Sequence, residues 1–131
     1  MKFELNIGLS IKGRRNSLAD CTTRARAALA IIRSAGLQYL AERASSEYEG
    51  PGGICTKEVL VVEVNAPVFG GERKVLALAY EIAVAIEQDC VAILDPSSAR
   101  GHLVGPRAAE WGSFNPEFFI NYADVSLRAA A

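Results

Sequence analysis

The first 95 residues divide into six segments whose apolar spacing follows either the two-residue period of a strand or the 3.6-residue period of a helix. Their order is strand, helix, strand, strand, helix, strand. Phe3, Leu5, Ile7, Leu9 and Ile11 alternate with Lys2, Glu4, Asn6, Gly8 and Ser10, which predicts a strand with one buried face. Gly13-Arg14-Arg15-Asn16 is a loop. Cys21, Ala25, Ala28, Leu29 and Ile32 then recur at helical spacing over about Ser17–Ala35. Ser17-x-x-Asp20 resembles a capping box at the start of this helix, and Gly36 stands where a helix-ending glycine belongs.

Leu37–Tyr48 carries alanines and glutamates that suit a helix, but Gly50-Pro51-Gly52-Gly53 separates it from a run of comparable length. Turn chemistry between two such runs predicts a hairpin. Its second arm, Lys57–Ala66, has Leu60, Val62 and Val64 on one face and Val59, Val61, Glu63 and Asn65 on the other. A strand apolar on both faces belongs in the middle of a sheet. Val75, Leu78, Ala79, Ile82, Ala85 and Ile86 form the stripe of a second helix over about Gly71–Asp89. Cys90–Leu94 is a fourth strand, stopped by Asp95-Pro96, and His102-Leu103-Val104 returns as a short fifth. Beyond lies an appendix in which Gly105-Pro106 and Asn115-Pro116 each look like a helix start with proline in the first turn. The turns they open are Arg107–Trp111 and Glu117–Tyr122, and Phe114, Phe118, Phe119 and Tyr122 need an apolar surface to cover.

Over about residues 2–95 this order resembles the ferredoxin-like α/β plait, in topology and not in any sequence motif. The resemblance implies an α+β fold: a βαββαβ antiparallel sheet, two helices on one face, and the first and third strands central. The hairpin strand and helical turns after residue 95 extend it, and the whole chain reads as a single domain, 1–131. Recognisable branches of the fold are not matched. RNA-recognition domains stack bases on aromatics of the central strands, where this chain has Glu4, Asn6, Gly8, Val59, Val61 and Glu63. Metal-chaperone domains place Cys-x-x-Cys after the first strand, where Lys12-Gly13-Arg14-Arg15 stands. Gly13-Arg14-Arg15-Asn16 has the residue types of an acylphosphatase loop without its pattern. Amino-acid-sensing regulatory domains and dimeric α+β-barrel proteins leave no strict motif, so both stay open.

Composition narrows the classes further. Half of the 131 residues are hydrophobic and 22% are charged, which is globular composition. No apolar run approaches the roughly 20 residues of a membrane span, and Met1-Lys2-Phe3-Glu4-Leu5 alternates unlike the core of a signal peptide. The expectation is a cytoplasmic protein with no membrane contact. Cys21, Cys55 and Cys90 are odd in number and widely spaced, so neither a disulfide framework nor a metal clip is expected. A Gly-Lys-Ser/Thr phosphate loop, zinc spacing and a basic stripe with aromatics are missing, so no cofactor, metal or specific nucleic-acid partner is expected. Residues 1–33 carry seven basic against two acidic side chains, and the rest of the chain seven against thirteen. That polarity suits an anionic partner at one end.

Three constellations are candidates for function. His102, the one histidine, stands at a hairpin where Asp95 and Arg100 would orient it, giving half of a general-base pair. On the sheet face away from the helices, Glu4, Asn6 and Ser10 would neighbour Glu63 and Asn65; if covered, Glu4 and Glu63 become a buried acid/base pair. Val59 and Val61 on that face would leave an apolar patch of the kind that marks an interface. In the appendix, Arg107 beside two helix starts suits a small anionic ligand. Trp111 and Phe114 suit stacking or a partner anchor. With no complete catalytic set, the first expectation is a non-enzymatic binding or interaction module, a homodimer or the binder of a protein partner such as a larger complex it inhibits. The competing one is a small enzyme or small-ligand sensor, with Glu4, Glu63, His102 and Arg107 in a pocket between the outer sheet face and the appendix.

Overall fold

The computed structural model describes residues 1–11, 16–50, 53–96 and 100–108, leaving aside the side chains of 45–50, 53–57 and 100. Its elements are β1 (Lys2–Gly8), α1 (Leu18–Ser34), β2 (Gln38–Gly50), β3 (Gly53–Asn65), α2 (Gly71–Ala85), β4 (Val91–Asp95) and β5 (Arg100–Val104). The strands form one sheet in the order β2-β3-β1-β4-β5, with every neighbouring pair antiparallel. This is the ferredoxin-like arrangement, extended at one edge by β5. The ambiguous stretch after Gly36 is a strand, because β3 offers it a full ladder from Gln38↔Asn65 to Gly50↔Gly53.

Both ends of α1 follow from local chemistry. The Asp20 backbone N–H donates to Ser17 Oγ at 3.1 Å, and the Ser17 N–H donates to Asp20 Oδ2 at 3.3 Å. This reciprocal pair satisfies donors that a helix start otherwise leaves unmet. Gly36 then adopts φ +76°, the left-handed conformation that ends the helix. By contrast, α2 stops at Ala85, short of the Asp89 that its apolar stripe suggests. The cause is a left-handed Glu87 at φ +57°. It lets Glu87 N donate to Val84 O at 3.3 Å and Gln88 N to Ala83 O at 2.9 Å, the two bonds of a Schellman closure. Gln88 is buried, and its Nε2 donates to Ser10 O at 3.0 Å, which fastens the end of α2 to the segment after β1.

The core lies between the helices and one face of the sheet. Phe3, Leu5 and Ile7 of β1, Leu60, Val62 and Val64 of β3, and Val91 and Ile93 of β4 point there. Against them pack Cys21, Ala25, Ala28 and Ile32 of α1 with Val75, Leu78, Ala79 and Ile82 of α2. The alanines let the helices approach closely. Two-residue alternation therefore sends Glu4, Asn6 and Gly8 of β1 to the other, outer face, together with Val59, Val61 and Glu63 of β3.

After β5 the chain turns against the α2–β4 connection. The Arg107 N–H donates to Asp89 O at 2.9 Å. A Cβ on Gly105 would stand 2.4 Å from Asp89 O, so glycine is what permits this approach. Among the described residues, no helix is long and apolar enough to cross a membrane.

Candidate functional site on the outer sheet face

Asn6 lies at the centre of the sheet, on its outer face. Its register partners are Val61 on β3 and Ala92 on β4. Two positions along β1, Glu4 stands opposite Glu63 on one side and Leu94 on the other. Val59, Val61 and Ala44 form an apolar cluster of their own, separate from the helix-side core. Ala92 and Leu94 are buried as well. The outer face is therefore not an exposed polar surface: Glu4 is 5% exposed and Asn6 2%. This burial arises within one chain, although both helices pack on the opposite face.

Glu4 is engaged by an interaction within the chain. Asn6 is different: among the described residues neither its Nδ2 nor its Oδ1 has a hydrogen-bond partner. An amide can donate twice and accept twice, and the great majority of buried polar side-chain atoms find at least one partner. Leaving a buried donor or acceptor unmet costs about 1–3 kcal/mol. A valine or leucine here would be cheaper for the fold, so the residue is poorly explained by stability.

The residues expected to share a site are only partly brought together. Glu4 and Glu63 are direct cross-strand neighbours, as the alternation requires. Their surroundings differ, and they do not form a buried acid/base pair. The Glu63 side chain is 43% exposed, with Oε1 3.0 Å from Lys2 Nζ, so it belongs to the rim. His102 is on the wrong side of the sheet for them. It pairs with Ile93, which points to the helices, and its Nε2 stands 3.5 Å from Glu72 Oε1 of α2. In the strand register Asp95 stands opposite Arg100, two positions along from the Ile93–His102 pair, and a carboxylate beside His102 comes from α2. Arg107 lies beyond the end of β5, with Nε 3.8 Å from Asp89 Oδ1. Val59 and Val61 do line the outer face, next to Asn6. Trp111 and Phe114 fall outside the described residues.

Asn16, the last residue of the stretch that has acylphosphatase residue types without the pattern, is already committed. Asn16 Oδ1 accepts from Ile11 N at 2.8 Å and from Arg24 Nη1 at 2.9 Å, and its Nδ2 donates to Ile11 O at 3.0 Å. Arg24 Nη1 also donates to Leu9 O at 2.7 Å. These bonds close the stem of the loop and leave Asn16 with a structural task. Among the described residues, no group of three or more His, Cys, Asp or Glu could hold a metal ion. The residue that the sequence undervalued is Asn6. Its only signal was a polar side chain on a central strand beside valines that occupy both faces of the neighbouring strand.

No family model matches the chain, and no curated protein matches it. Among solved structures, it is similar to a phage SAM lyase in the apo state, with a TM-score of 0.48 and 17% identity over 70% of this chain and 75% of that one. It is similar to a phage SAM lyase in complex with S-methyl-5'-thioadenosine, with a TM-score of 0.49 and 17% identity over 70% of this chain and 76% of that one.

Proposed function

We propose that this protein binds a small molecule on the outer face of its sheet, at Asn6. The observation that carries the reading is the Asn6 amide, buried with both of its polar atoms unmatched. Ligand sites are mostly apolar, with a few polar groups that fix orientation; Val59, Val61, Ala92 and Leu94 supply such walls around Asn6 and Glu4.

A thermal-shift screen of wild type and Asn6→Leu against a panel of charged and neutral metabolites tests the reading. At least one compound is expected to raise the melting temperature of wild type and to lose that effect in Asn6→Leu. A panel that leaves wild type unmoved, or hits that persist in the variant, would contradict it. Incubating each hit with catalytic amounts of protein then separates an enzyme from a sensor.

The interaction-module reading has support of a different kind. One of its motives, valines on an open face, is not met, because Val59 and Val61 are buried within the chain. Phe69, however, is 94% exposed beside an exposed Val68, on the turn between β3 and α2. Light scattering after size exclusion of wild type and Phe69→Ser measures this. An assembly that falls to monomer in the variant supports a contact at the turn; a wild-type monomer removes the self-association form.

A further inference from the structure

We infer that β2 is a dimer seam: two copies of this chain pair edge to edge along it, antiparallel, about a two-fold axis at Ala44. The inference stands apart from the Asn6 site, and three features of β2 carry it.

The first is an edge left open. In the described sheet β2 has a neighbour on one side only, β3. An edge strand leaves a row of backbone N–H and C=O groups unpaired, and folds blunt such edges with lysine, proline, a bulge or a short strand. The other edge, β5, has five residues. β2 has thirteen, with no lysine and no proline among them. Its register against β3 runs from Gln38↔Asn65 to Gly50↔Gly53 without a bulge. Gln38, Leu40, Glu42 and Arg43 are exposed, Leu40 by 73%.

The second is a ribbon that outruns the sheet. β1 accompanies β3 as far as Gly8↔Val59, and Leu9 N donates to Glu58 O. Beyond, residues 46–50 of β2 and 53–57 of β3 run on as two strands alone, for about 17 Å at strand rise. Two strands by themselves are marginal in water, and further strands stabilise them. Ala44 is the midpoint of β2. A two-fold axis there lays the ribbon of each copy beside residues 38–42 of the other. This selects a second copy as the occupant, because one strand supplies both the part that needs support and the part that gives it.

The third is a matched register. A two-fold axis at Ala44 sets opposite one another residues an even number of positions apart, so their faces agree and the helices of both copies lie on one side. Glu42 then stands opposite Ser46, and Arg43 opposite Ser45. Glu47 and Glu49 stand opposite Ala41 and Tyr39. No like charges are directly opposed. An axis moved to Glu42 or Arg43 sets that residue opposite itself, and directly opposed like charges are destabilising.

A charge swap tests the seam. Sedimentation equilibrium is run on wild type, Glu42→Lys, Ser46→Glu and the double variant, each checked for folding by circular dichroism. Wild type is expected at twice the mass of one chain. Ser46→Glu opposes two carboxylates on both sides of the axis and is expected to weaken the dimer by about tenfold. Glu42→Lys alone is expected to leave the dimer intact, and to restore it when combined with Ser46→Glu, because the opposed charges then attract. Wild type that stays monomeric up to about 100 μM overturns the inference and leaves the edge to a strand from another protein. An assembly that Ser46→Glu does not weaken has its seam elsewhere and overturns it too. A dimer weakened by Ser46→Glu and not restored by Glu42→Lys overturns the pairing about Ala44.

Discussion

Asn6→Leu is expected to make this protein more stable by about 1–3 kcal/mol, the desolvation cost of polar atoms that the native fold leaves unmatched. In a chain of 131 residues that corresponds to roughly 3–6 °C in melting temperature per kcal/mol. Leucine has the same branched arrangement of side-chain heavy atoms as asparagine, so it can take the place of the amide between Val61 and Ala92 without a change of register. The two methyl groups replace atoms that are shielded from bulk solvent and have no partner among the described residues. The gain comes with loss of ligand binding, so one substitution moves stability and function in opposite directions. That combination is the signature of a residue kept for activity, since such sites are where a fold gives up stability. Urea denaturation gives the first half of the result and the thermal-shift panel the second. A destabilisation of 1 kcal/mol or more would mean that the amide is satisfied in solution within the chain.

The next residue along the strand is expected to behave in the opposite way. Leu5 is wholly buried on the helix side, where it faces Val62 on β3 and Ile93 on β4. Leu5→Ala removes three carbons from a packed core and leaves a cavity, at a cost of about 2–5 kcal/mol. Single domains have only about 5–15 kcal/mol of stability in total, so the loss is severe, and the melting temperature should fall by about 10 °C or more. Ligand binding per folded molecule should be largely retained, because Leu5 points away from Asn6. A cost below 1 kcal/mol would show that the helix-side core does not close around β1 as described. Adjacent residues on one central strand thus carry opposite expectations, and the pleat that separates them separates the work of folding from the work of binding.

Much of this architecture was legible in the residues. Alternation in β1, the Ser17–Asp20 box, Gly36 and the two-sided valines of β3 each specify a local structure, and together they select the plait with β1 and β3 in its centre. The end of α2 was less legible because a glutamate, not a glycine, takes the left-handed position. Glu87 has no composition signal for that role; Gln88 makes the turn worthwhile through a bond to Ser10, 78 residues away. The site was legible only in part. Period two placed Glu4, Glu63, Val59 and Val61 on one face correctly. It could not tell that Glu63 would turn to Lys2 while Glu4 stayed inside, because that difference depends on what covers the face. His102 was expected to share a pocket with Glu4 and Glu63 on the outer face. Its hairpin was right, but pairing with Ile93 sends its side chain to the helices. Asn6 was present as a neighbour and overlooked as a centre, since a lone asparagine among alternating residues looks like any other solvent-facing position. Its importance emerges only once burial and hydrogen bonding are known together.

The central claim is that the Asn6 amide meets a ligand. The side-chain amide signals of Asn6 in a heteronuclear NMR spectrum, assigned by their disappearance in Asn6→Leu, report on it directly. During titration with a hit from the panel, the Asn6 pair should shift progressively and saturate, while the pair from Asn16, which is committed to Ile11 and Arg24, stays in place. Binding that saturates with the Asn6 signals unmoved, or Asn6 signals that no compound in the panel perturbs, would contradict the account.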